Sequence, residues 1–109
     1  MNKVFLIGNL TRDPEKRETQ SGKTVCNFTL AVDRLYTAEG QPDADFFRVT
    51  VWGQKAENCH KFLAKGKKAS VVGSVSLDSY QDQDGQARYS LAVTADDVEF
   101  LTPRSGEGR

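Results

Sequence analysis

The chain has 109 residues, enough for one domain with one modest core. Its 38% hydrophobic and 28% charged residues suit a globular domain and argue against a disordered chain, and no apolar run approaches the roughly 20 residues of a bilayer span. Fifteen basic and fifteen acidic residues cancel, so any attraction for a polyanion must come from local placement of charge.

The first strand is expected over Val4 to Leu10, rich in β-formers. Asn9, Arg12 and Asp13 cut its apolar stretch short of a signal-peptide core, and no small-residue cleavage site follows, so a cytoplasmic, nucleoid-associated protein with no membrane segment is expected. Thr11 to Gly22 reads as a polar loop with turn signals at Asp13-Pro14 and Ser21-Gly22. The second strand, Thr24 to Arg34, turns Cys26, Phe28, Leu30 and Val32 to one face. Leu35 to Asp45 is a loop punctuated by Gly40 and Pro42.

The third strand, Asp45 to Trp52, carries most of the information. Period-two alternation sets Phe47, Val49 and Val51 on an apolar core face and Phe46, Arg48, Thr50 and Trp52 on the other. Two large aromatics beside an arginine make a poor core and a good platform for something flat and negatively charged. Gln54 to Lys65 is expected to be helical, with Ala56, Cys59, Phe62 and Leu63 inward and Gly66 in the left-handed position beyond its end. Lys68 to Tyr80 forms the fourth strand, with Val71, Gly73, Val75 and Leu77 facing one way. Asp84-Gly85 signals a hairpin into a fifth strand, Ala87 to Leu101. The domain is therefore expected to span residues 1–102, with a short flexible tail at 103–109.

Five strands with one short helix between the third and fourth is the order of an all-β OB-fold, a partly open Greek-key barrel that binds oligonucleotides or oligosaccharides. Fold alone does not give function. Tyr36, Phe46, Trp52 and Tyr80 fall at strand ends or off the core face, and each base stacked on such a ring is worth about 1–3 kcal/mol. Together the four rings offer about 4–12 kcal/mol before ordering costs. Lys3, Arg12, Arg34, Arg48, Lys55, Lys67 and Arg88 are the candidate phosphate contacts. No catalytic constellation assembles: the single histidine, His60, has no nucleophile partner, and no phosphate loop or metal-ligand run is present. Cys26 and Cys59 read as buried thiols rather than a disulfide framework or a metal site, so neither an enzyme nor a cofactor is expected.

From about Asn2 to Leu101 the chain resembles bacterial single-stranded DNA-binding proteins. The likeness rests on four segments: Asn2 to Glu15, Asn27 to Val32, Phe46 to Gly53, and Ala56-Glu57 with Phe62 to Gly66. The resemblance implies stacking platforms at Tyr36, Phe46, Trp52 and Tyr80, the rings chosen above. It also implies a cofactor-free homotetramer, with Phe47 at a subunit contact, acting in replication, recombination and repair. Three departures stand out. Asp78 lies in a stretch that is often basic in the family, and Glu18 stands where an aromatic is common, so weaker phosphate or stacking contact is expected there. The third is the end of the chain, Pro103 to Arg109, which lacks the family's acidic recruiting tip. This is either a truncated sequence or a short paralogue, and recruitment of replication proteins through a tail is not expected. The competing readings are a primosome-type interaction module, which keeps the barrel but loses the stacking face, and an RNA-binding OB domain.

Overall fold

A computed structural model of the chain describes residues 1–36 and 38–102. The expected tail over 103–109 lies outside the described residues. Seven elements follow in order: β1 (Val4–Leu10), β2 (Glu15–Glu18), β3 (Thr24–Asp33), β4 (Ala44–Trp52), α1 (Gln54–Phe62), β5 (Lys68–Gln81) and β6 (Ala87–Phe100). The sheet order is β1-β5-β6-β4-β3-β2, and β1 also pairs with β3. The five long strands therefore close into a ring, the arrangement expected of an OB-fold, with β4 and β6 running parallel and the other pairs antiparallel.

Closure depends on a missing side chain. The β1–β3 pairing is two residues long, Asn9 with Ala31 and Leu10 with Leu30. Beside it, a Cβ on Gly8 would lie 2.2 Å from the carbonyl oxygen of Ala31, so only glycine admits this approach. Inside the ring, Leu6, Leu10, Cys26, Phe28, Leu30, Val49, Val51, Val71 and Val93 form the core, closed at one end by Ala56, Cys59 and Leu63. Of these, Cys26, Phe28, Leu30, Val49, Val51, Val71, Ala56, Cys59 and Leu63 are inward positions expected from the sequence, whereas the sequence assigns no inward face to Leu6, Leu10 or Val93.

The structure corrects four expectations. The first loop contains β2, a sixth strand paired with β3 from Glu15–Asn27 to Glu18–Thr24. Its four residues, Glu-Lys-Arg-Glu, are all exposed, so backbone pairing at an edge forms it without any apolar pattern to betray it. The helix ends at Phe62 rather than Lys65, because Leu63 is already extended while its N–H still donates to the Cys59 carbonyl. Phe62, expected inward, sits at the rim at 36% exposure, with its ring 5.8 Å from that of Phe100. Leu77, expected to continue the inward row of Val71, Gly73 and Val75, is 63% exposed. By Leu77, β5 has left the ring and its remaining length projects with β6 as a two-stranded arm.

Candidate nucleic-acid interface

On β4 the inward side chains Val49 and Val51 are fully buried, while Phe46, Arg48 and Trp52 are exposed on the opposite face. Register extends that outer face across the sheet. Arg48 lies opposite Thr29 of β3 and Ala92 of β6, and Thr50 opposite Asn27 and Thr94. Ala92 in turn faces Ser76 of β5, followed at the same parity by the Asp78–Ser90 and Tyr80–Arg88 pairs. Phe46, Arg48, Trp52 and Tyr80 thus belong to one continuous surface that runs from β4 onto the arm. Tyr36 stands apart in the loop after β3, 91% exposed.

A groove of about 300 Å³ opens in the middle of this surface. Arg12 and Arg48 supply its cations and Asp13, Glu15 and Asp78 its carboxylates, over a floor that includes Asn27, Thr29 and Thr50. The Thr50 hydroxyl donates to the Asn27 side-chain carbonyl at 3.0 Å, which fixes the orientation of that amide. Asp78, singled out from the sequence as an unusual acid, therefore borders the groove directly. Glu18, the other departure, is exposed on β2.

The seven candidate phosphate contacts separate into two groups. Arg12 and Arg48 line the groove. The other five are engaged within the chain. Lys3 is bonded to the Asp96 carboxylate, and Lys55 donates to the Asp96 carbonyl at 2.8 Å. Arg34 meets Asp45 and Arg88 meets Asp82, each at 2.8 Å. Lys67 reaches the Phe62 carbonyl at 3.4 Å. Exposed pairs of this kind are worth about 0–1 kcal/mol, so a phosphate can compete for the cation. Phe47 is half-buried and packs against the chain's own core.

A second cleft, of about 510 Å³, lies beside Trp52 and is lined by Gly22, Lys23, Thr24, Gly53, Gln54 and Glu57. Glu57 is held from two sides. The Lys16 ammonium donates to Oε1 at 3.0 Å and the Thr24 hydroxyl to Oε2 at 2.9 Å. These two bonds hold its pKa below the usual carboxylate value. The sequence reading used Glu57 only as part of the family likeness. Its partners are 41 and 33 residues away, and no local pattern links them. Tyr89 also went unread: it is 63% exposed on the opposite face of the arm, in the row of Leu77 and Leu91.

Both cysteines are buried free thiols. Burial, with a smaller contribution from Cys26, pushes the Cys59 thiol up to about 12, where it is not a nucleophile at neutral pH. Among the described residues no three His, Cys, Asp or Glu side chains are placed to hold a metal ion, and no helix is long and apolar enough to cross a membrane.

Comparison with known proteins agrees with this geometry. The model of the single-strand binding protein family matches residues 1–101. "Single-stranded DNA-binding protein 2" of Clostridium acetobutylicum is 48% identical over 102 residues, covering 93% of this chain and 77% of that protein. "Single-stranded DNA-binding protein 1" of Staphylococcus aureus is 45% identical over 106 residues, covering 96% of this chain and 68% of the relative. "Single-stranded DNA-binding protein 2" of Listeria innocua is 44% identical over 106 residues, covering 96% and 67%.

Proposed function

Because this chain belongs to the single-strand binding protein family, we propose that it binds single-stranded DNA without sequence-specific readout and protects it during replication, recombination and repair. The observation that carries this reading is the outer face of β4, where Phe46 and Trp52 are 60% and 46% exposed on either side of Arg48. Large rings held open on a rigid strand are platforms for bases, and every base has a face to stack. Strand geometry at about 3.3 Å per residue separates Phe46 from Trp52 by about 20 Å. The two rings therefore serve different bases, with Arg48 and Arg12 placed to meet the phosphates between them. Tyr80 extends the path along the arm, which leaves the ring at the Phe46 end of β4, and Tyr36 stands in the loop between β3 and β4 at that same end.

Lys3, Arg34, Lys55, Lys67 and Arg88 form a second rank, exchanging weak internal partners for phosphate as DNA arrives. The working form is a homotetramer, with Phe47 contributing to a subunit contact, located in the cytoplasm with the nucleoid. The reading involves no bond making, cofactor or metal.

The chain has a single tryptophan, so quenching of Trp52 fluorescence by oligo-dT at low salt reports stacking directly. Absence of quenching on folded protein overturns the reading. Quenching by oligo-U equal to that by oligo-dT would move the assignment to RNA. Light scattering tests the tetramer.

A further inference from the structure

Phe62 and Phe100 stand outside the core. Ala56, Cys59 and Leu63 already fill the closed end of the ring, and neither phenylalanine belongs to that cluster. With Leu101 they remain exposed over more than a third of their surface. Phe100 pairs with Ala69, so the patch sits at the end of β5 and β6 remote from the arm's turn. It lies off the outer face of β4 that carries the base platforms.

Lysines surround this patch. The Lys61 ammonium lies over the Phe62 ring, 5.3 Å from its centroid, and Lys67 reaches the Phe62 carbonyl. Lys65 is exposed in the turn between them. That turn is pinned to β1 and to the loop after it. The Gly66 N–H donates to the Leu10 carbonyl at 2.9 Å, the Asn9 amide to the Gly66 carbonyl at 3.0 Å, and the Lys65 N–H to the Asp13 carboxylate at 2.8 Å. No acidic residue occurs between His60 and Ser70. Asp13 is engaged with the turn's backbone, and strand alternation turns Glu99 to the face of β6 opposite Phe100.

We infer that this end of the ring docks an acidic peptide segment of a partner protein, with a bulky apolar side chain on Phe62 and Phe100 and carboxylates among Lys61, Lys65 and Lys67. An apolar centre with a polar rim is the anatomy of a protein interface. The geometry favours peptide over nucleic acid. A base stacks on a flat, open ring face, but on Phe62 the Lys61 ammonium takes that place, and the Phe100 ring is tilted 44° to it. What remains is apolar edge, which a leucine or phenylalanine side chain covers. Because the turn is pinned, its lysines are placed before the partner arrives.

The test follows fluorescence anisotropy of a labelled peptide, one phenylalanine between runs of aspartate, with the full chain at low salt. Replacing that phenylalanine by serine removes one buried aromatic contact and should weaken binding about tenfold. The Lys61→Glu variant, altered at an exposed side chain, should bind the parent peptide about two- to fivefold more weakly and still give the parent's Trp52 quenching by oligo-dT. Equal binding of the two peptides would mean attraction for any polyanion and overturns the inference. So does the absence of binding, or an unchanged peptide affinity in Lys61→Glu. A loss of oligo-dT affinity in that variant as large as its loss of peptide affinity puts the patch on the DNA path, and also overturns it. Quenching of the parent protein by oligo-dT leaves the single-stranded DNA reading intact in every case.

Discussion

The two halves of β5 differ more than their sequences do. Ala69, Val71 and Gly73 alternate inward and are fully buried, whereas Ser76 to Gln81 is exposed at every position. The inward row nevertheless continues, through the half-buried Val75 to Leu77, with the same spacing. The difference comes from neighbours. Up to Gly73, β5 has β1 on one side and β6 on the other; beyond it, only β6 continues alongside. Period two thus identifies a face, and tertiary surroundings decide whether that face is covered. In this molecule the ring half supplies stability and the arm half supplies surface.

Substitutions in each half break this contrast in opposite ways, and the largest effect is expected at Gly73. A Cβ there would lie 2.1 Å from the Thr94 carbonyl oxygen, at the register shift between β5 and β6. Gly73→Val should cost about 3 kcal/mol or more, read as a lowered denaturation midpoint. Trp52→Ala and Phe46→Ala come next. Each should weaken oligo-dT binding by about 1–3 kcal/mol with an unchanged midpoint. Electrophoretic mobility shift can follow both variants, and unfolding of either would show that its ring belongs to the core. Arg48→Ala should flatten the salt dependence of binding by about 0.7 in log–log slope, one single-strand phosphate contact. Arg88→Ala should flatten it less, since Asp82 already holds that guanidinium. Leu77→Ser in the arm should leave stability within about 0.5 kcal/mol, in contrast to its buried counterparts.

The smallest effect is one of pH. Asp82 at the base of the arm's turn has its pKa lowered by Arg88 and by the Gln86 and Asp84 backbone N–H groups. A carboxyl whose folded value lies below its unfolded one stabilises the fold above the unfolded value, about pH 4. That contribution is lost as the pH falls through the folded value. Acidification below pH 4 should therefore loosen the turn in the parent and have less effect in Asp82→Asn, measured by amide exchange at Gln86.

The contrast between ring and arm also explains what could be read from sequence. The ring strands were legible because burial imposes alternation, and the Asp84-Gly85 turn because φ at Gly85 is +78°. β2 was not legible, since an exposed edge strand imposes no pattern. The aromatic platforms on β4 stood out because Phe and Trp interrupt what would otherwise be a polar face. The sorting of the cations was beyond sequence. Lys3 and Lys55 converge on Asp96 from 93 and 41 residues away, and only the closed ring brings them there. Arg48 stood out by its place between Phe46 and Trp52, but Arg12 looked no different from the other cations until the groove brought it beside Arg48.

Asn2 has a mechanical role where the arm begins. Its side-chain amide donates to the Val75 carbonyl at 2.7 Å and accepts from the Val75 N–H at 3.1 Å. One side chain thereby supplies the rung that the backbone of β1 no longer provides, two residues past the Val4–Gly73 pair. The arm is a lever, and this amide clamps its fulcrum. With the clamp in place, the arm's bending is confined beyond Val75, and Tyr80 keeps a set bearing relative to the rings on β4. Released, as in Asn2→Ala, the lever would pivot nearer the ring, and the spacing between successive bases on the path would no longer be set by the protein.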